Sequence, residues 1–144
     1  MEKKVLALLV LIGLIITAGF TSNINVYIGN KRIEFPDQQP FIDESNRVLV
    51  PVRFVAENLG AEVGWNQERK EVIITNEDIK ICLIIGENQA RVNDEEIVFD
   101  TAAEIHNGRT MVPLRFIVNV FGRNIAWNQF TKTVYILGPI DNTA

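Results

Sequence analysis

The sequence predicts an α+β fold: two tandem units of antiparallel β-hairpins with one short α-helix each, forming a single bilobal module. The first observation behind this is internal repetition. Arg47-Val48-Leu49-Val50-Pro51-Val52-Arg53-Phe54 matches Arg109-Thr110-Met111-Val112-Pro113-Leu114-Arg115-Phe116, and the register then holds through Gly60 and Gly122, Trp65-Asn66-Gln67 and Trp127-Asn128-Gln129, and Lys70 to Ile74 and Lys132 to Ile136. Self-similarity over such a length marks a repeated supersecondary unit. The second observation is the alternation of short β-branched runs with Gly, Asn and Asp punctuation, as in Val26-Tyr27-Ile28-Gly29-Asn30, which reads as hairpins. The third is a proline at the foot of one helical pattern per unit and a glycine at its end, the asymmetry that helix termini favour.

Each unit reads in the same order. Strands over Val26 to Ile28 and Arg32 to Phe35 enclose the first turn, and Gln89 to Val92 and Glu96 to Phe99 repeat them around Asn93-Asp94. Val48 to Val50, or Thr110 to Val112, leads into Pro51 or Pro113 at the expected first helical position, where the missing N–H has no intrahelical partner. Apolar spacing carries one helix through Phe54, Val55 and Leu59 and the other through Phe116, Ile117 and Val120. Gly60 and Gly122 then suit the left-handed residue after a helix. Closing hairpins follow at Ala61–Trp65 with Glu71–Thr75, and at Arg123–Trp127 with Thr133–Leu137. Ile79 to Ile85 is almost uninterrupted in apolar character, so a central strand buried on both faces is expected there. The expected divisions are a signal peptide over 1–22, repeat units over 23–78 and 79–138, and a tail over 139–144.

Residues 1–22 carry Lys3 and Lys4 ahead of an apolar stretch from Val5 to Ile16 and small residues at Thr17, Ala18 and Gly19, the layout of a secretory signal. A membrane helix needs about 20 apolar residues, so export with cleavage is expected, with an uncleaved anchor as the alternative and the membrane touched only through that segment. The 144 residues hold one Cys and one His. That excludes an internal disulfide and any metal site made of three or more Cys and His ligands. The formal net charge of -4 disfavours nucleic acid, whose phosphates call for a dense basic face. Cys82, inside the apolar run, is expected to act as a small buried hydrophobe.

The string N-G-R-T-M-V-P-L-R-F from Asn107 to Phe116, with Gly122, Trp127 and T-K-T-V-Y-I from Thr131 to Ile136, closely resembles the copper amine oxidase amino-terminal-like (stalk) domain. Asn46 to Trp65 repeats the pattern less perfectly. The resemblance implies repeated α+β modules on exported bacterial proteins, without a common catalytic function. It does not imply the oxidase site, which takes three imidazoles and a modified tyrosine. This chain offers His106, in a predicted loop, with Tyr27 and Tyr135.

The residues singled out as candidate ligand or partner contacts are therefore Trp65, Trp127, Arg53 and Arg115. Each arginine stands in the first turn of a helix, where the dipole disfavours a cation. Compensation from loop carbonyls, a carboxylate or an aromatic face is expected, making a structural clamp, with a ligand-carboxylate clamp as the alternative. Glu57 follows Arg53 at helical spacing, whereas Asn119 holds that place after Arg115. The tryptophans either pack over their hairpins or form a sugar-stacking platform. Asp94-Glu95-Glu96 aligns with Asn30-Lys31-Arg32, which favours a solvated turn over a Ca²⁺ site. No catalytic residue, metal ligand or cofactor is expected. The expected role is structural or protein-interacting at the cell surface, with carbohydrate or cell-wall binding through Trp65 and Trp127 as the alternative and an accessory domain of an amine oxidase less favoured. The partners in view are a cell-envelope protein or wall polysaccharide, and unpaired sheet edges make a homo-oligomer possible.

Overall fold

The computed structural model describes residues 23–139. The predicted signal segment, and all but the first residue of the predicted tail, lie outside the described residues. Thirteen strands and two helices form an α+β fold dominated by three sheets. In chain order these are β1 (Asn25–Ile28), β2 (Lys31–Arg32), β3 (Phe41–Ile42), β4 (Val48–Pro51), α1 (Val52–Asn58), β5 (Glu62–Asn66), β6 (Glu71–Thr75), β7 (Lys80–Ile84), β8 (Gln89–Val92), β9 (Glu95–Val98), β10 (Glu104–His106), β11 (Arg109–Pro113), α2 (Leu114–Val120), β12 (Arg123–Asn128) and β13 (Thr133–Pro139).

Each sheet takes strands from both sides of residue 78. The central sheet runs β10-β11-β4-β3, one flanking sheet β12-β13-β1-β2, and the other β5-β6-β7-β8-β9. The junction of the central sheet is the antiparallel pair β4–β11, in which Val50 lies opposite Val112, Leu49 opposite Pro113 and Pro51 opposite Met111. Proline has no N–H to donate, so the two proline pairs take the non-hydrogen-bonded sites of the ladder and Val50 and Val112 exchange both backbone bonds. Both valines are fully buried. On the other face of the same strands, Leu49 and Met111 are buried as completely.

Positions aligned in the sequence take the same backbone conformations. Lys70 and Lys132 have φ of 48° and 49°, Gly60 and Gly122 of 85° and 64°, and Asn46 and Gly108 of 62° and 74°. Gly60 and Gly122 each follow a helix and adopt the left-handed conformation that an L side chain resists, as expected. The prolines sit one residue earlier than expected. Pro51 and Pro113 end their strands and cap the helices rather than opening them, because each strand runs without a loop into its helix. The helices expose Arg53 and Arg115 while burying Val52, Val55 and Ala56, or Leu114, Phe116, Ile117 and Val118.

Two further differences have clear causes. Most pairs are antiparallel as expected, but β1 pairs with β13 in parallel, Val26 opposite Val134. In the other flanking sheet β7 separates β6 from β8, and the β1–β13 side lacks an equivalent strand among the described residues. β7 is central in its sheet, yet only Ile81 and Leu83 are fully buried, while Lys80 is exposed and Cys82 half-buried. The sheet has one wet face, so the run is not buried on both. Cys82 is accordingly not the core residue expected. Burial and the nearby Glu71 carboxylate raise its thiol pKa.

If the β4–β11 seam holds both halves of the chain, Leu49→Ala and Met111→Ala should each destabilise the whole protein by about 2–5 kcal/mol. Chemical denaturation should give a single transition for both variants. A variant that melts only one half would contradict the shared seam.

Candidate functional site

Two surface grooves lie where the central sheet meets a flanking sheet, and they are built from aligned positions. The first, about 300 Å³, takes Pro51, Val52 and Arg53 from the start of α1, Val63, Trp65 and Val72 from β5–β6, and Ile105, Gly108, Arg109 and Thr110 from β10–β11. The second, about 470 Å³, takes Pro113, Leu114 and Arg115 from the start of α2, Ile125, Trp127 and Val134 from β12–β13, Ile42, Asn46, Arg47 and Val48 from β3–β4, and Gln129 and Lys132 from the closing turn. Both volumes fall within the range of ligand clefts, about 300–1,000 Å³. The four residues singled out in the sequence thus divide into two pairs, Arg53 with Trp65 and Arg115 with Trp127.

Strand alternation explains why each indole faces its groove. Trp65 lies opposite Val72, and Trp127 opposite Val134. Both valines are buried, so each indole points toward the inner side of its sheet. It stops short of the core. Trp65 remains 40% exposed and Trp127 42%, so each ring covers its hairpin with one part still open to solvent.

The arginines behave differently from the expected clamp. Arg53 pairs with Glu57 along its own helix at 3.4 Å, a contact the other helix lacks because Asn119 holds that place. Arg115 is exposed and forms no ion pair with a described residue. The clamp falls instead to Arg47 and Arg109, at the start of the matched motif. Arg109 donates to both oxygens of Asp37, its Nη2 at 2.6 Å and its Nε at 3.0 Å, and its guanidinium lies 4.7 Å from the Phe54 ring centre. Arg47 pairs with Asp100. Each clamp crosses from one half of the chain to the other, and beside each stands an aromatic pair, Phe35–Phe54 or Phe99–Phe116. The signal was present in the sequence, since Arg47 and Arg109 open the two matched strings, but their acidic partners, Asp37 and Asp100, fall where the match between the two halves loses register.

The remaining polar groups are quieter. His106 lies on β10 rather than in a loop, with its Nε2 2.7 Å from Glu104 and its ring 4.9 Å from that of Phe41. Asp94, in the β8–β9 turn, and Glu95 and Glu96, at the start of β9, are all exposed. Among the described residues no group of three or more His, Cys, Asp or Glu is placed to hold a metal ion, and no helix is long and apolar enough to cross a membrane.

The fold is a hairpin-rich α+β scaffold with two ligand-sized grooves. Residues 27–136 match the copper amine oxidase N-terminal domain family, so the chain belongs to that family. It is also 28% identical over 112 residues to a "Protease inhibitor" of Brevibacillus choshinensis, an alignment covering 77% of this chain and 33% of that protein. The chain therefore spans about a third of that relative's length.

The Arg109 guanidinium, hydrogen-bonded to Asp37, lowers the Asp37 pKa below its ordinary 3.8. A carboxylate depressed on folding stabilises the protein above its unfolded pKa and loses that contribution as pH falls through the folded value. Between pH 7 and pH 2, Asp37→Asn should therefore lose less of its melting temperature than wild type, the difference opening below about pH 4. Parallel melting curves for the two proteins would show that the pair contributes nothing.

Proposed function

We propose that the chain is an exported, non-catalytic accessory module made of two copies of one unit, 23–78 and 79–138, and that its role is to bind a component of the cell envelope. The observation that carries the reading is the pair of matched grooves, each joining a half-exposed tryptophan to a first-turn arginine across the border between two sheets. The matched φ angles and the self-complementary β4–β11 register support the two-copy reading.

Tryptophan presents a broad apolar face with one polar edge, which suits the face of a sugar ring. A wall polysaccharide is accordingly the partner the groove chemistry supports best. A protein partner is the second reading. The relative's name, "Protease inhibitor", favours it, and so do the sheet edges, all unpaired among the described residues, which are templates for strand addition. The same edges leave self-association open as a mode of assembly. Amine oxidation is not proposed, because one histidine in the whole chain falls short of the three imidazoles of the oxidase site.

Secreted protein incubated with purified cell wall should sediment with it, and its mass should show the loss of residues preceding the mature start. A Trp65→Ala/Trp127→Ala double variant that keeps the wild-type circular dichroism should stay in the supernatant. Sedimentation of this folded double variant at the wild-type level would remove the grooves from the account.

A further inference from the structure

The two grooves share a plan but not a charge state. In the Trp65 groove every guanidinium is already answered, Arg53 by Glu57 and Arg109 by Asp37. The Trp65 Nε1 donates to Gln67 at 2.8 Å, so the indole's polar edge is occupied as well. In the Trp127 groove, Asn119 replaces the acidic residue that holds Arg53. Neither Arg115 nor Lys132 forms an ion pair with a described residue. Lys132, fixed by a tight turn at φ 49°, holds its ammonium 5.9 Å from the Trp127 ring centre. Gln129 lines the groove without the hydrogen bond that Gln67 makes on the other side, and Asn46 adds a second amide where the first groove has Gly108.

We infer that the Trp127 groove is a binding site for an acidic sugar residue of a wall polysaccharide, and that the Trp65 groove is not selective for charge. The inference rests on the binding role proposed above and names the ligand class for one of the two grooves. An acidic sugar uses each free group at once. Its ring face stacks on the indole, and its hydroxyls meet the amides of Asn46 and Gln129 and the Trp127 Nε1, which donates to no described residue and completes a set of donors and acceptors. Its carboxylate falls to Arg115 and Lys132, with the guanidinium offering a two-pronged match. An acidic peptide would satisfy the cations but would present no flat saturated ring to the indole. Because these charges are solvated, binding should weaken as salt rises.

The test uses the full chain, with tryptophan fluorescence and calorimetry as readouts and tetragalacturonate as the probe. Saturable binding is expected, falling about tenfold or more in Arg115→Gln, Lys132→Gln and Trp127→Ala, as loss of one charge-assisted contact implies. Arg53→Gln and Trp65→Phe should change it less than about twofold, and the fully methyl-esterified tetramer should bind at least about tenfold more weakly. Equal losses from both grooves, or equal binding of the ester, would overturn the assignment. Hexaglutamate binding as tightly as the sugar would overturn it in favour of an acidic peptide. Wall sedimentation separates the two levels. If Arg115→Gln/Lys132→Gln still sediments with wall while tetragalacturonate fails to bind wild type, this inference falls and the binding role stands.

Discussion

The β4–β11 pair is the constraint on which the rest of the molecule depends. Two prolines bracket it, and with no N–H to offer they leave one hydrogen-bonded pair, Val50 with Val112, at its centre. A ladder shifted by one residue would bring a proline into a hydrogen-bonded site and turn the buried side chains to the opposite face. The prolines therefore fix the register as well as ending the strands. They also cap α1 and α2, so the same residues set where each helix begins and which way its first-turn arginine faces.

The grooves follow from this seam. Each helix leaves the central sheet directly and returns through a glycine turn to a hairpin in a flanking sheet, and the indole on that hairpin lines the same groove as the arginine at the helix start. The opposing wall comes from the other half of the chain, at Ile105 to Thr110 for one groove and Ile42 to Val48 for the other. Neither groove is complete within one half. The Arg109–Asp37 and Arg47–Asp100 pairs hold those walls across the same border. Exposed pairs of this kind contribute little to stability, so their weight lies in positioning loops more than in total stability.

Much of the local structure was legible because it rests on local physics. Gly60 and Gly122 marked the helix ends through backbone freedom, and the strand over Glu71–Thr75 followed from β-branched residues. The partnership between strands was not legible. Nothing in the composition of β1 says that it lies parallel to β13, since that depends on what occupies the far edge of a sheet built from both halves. Cys82 was misread for a related reason: an apolar run does not reveal that one face of its sheet stays wet. Of the candidate site, the tryptophans and first-turn arginines were visible as matched motif residues. The charge difference between the grooves was partly written in the exchange of Glu57 for Asn119, but the lack of an ion pair at Lys132 among the described residues needed the geometry of the turn.

Native-state hydrogen exchange at the Val50 and Val112 amides tests the central claim most directly. These amides bond to each other's carbonyls in the middle of the seam, so both should exchange only through global opening, with the same free energy as complete unfolding by denaturant. Fast exchange at either amide, or separate opening free energies for the two halves, would show that the halves fold apart and that the grooves between them are not fixed features of the protein.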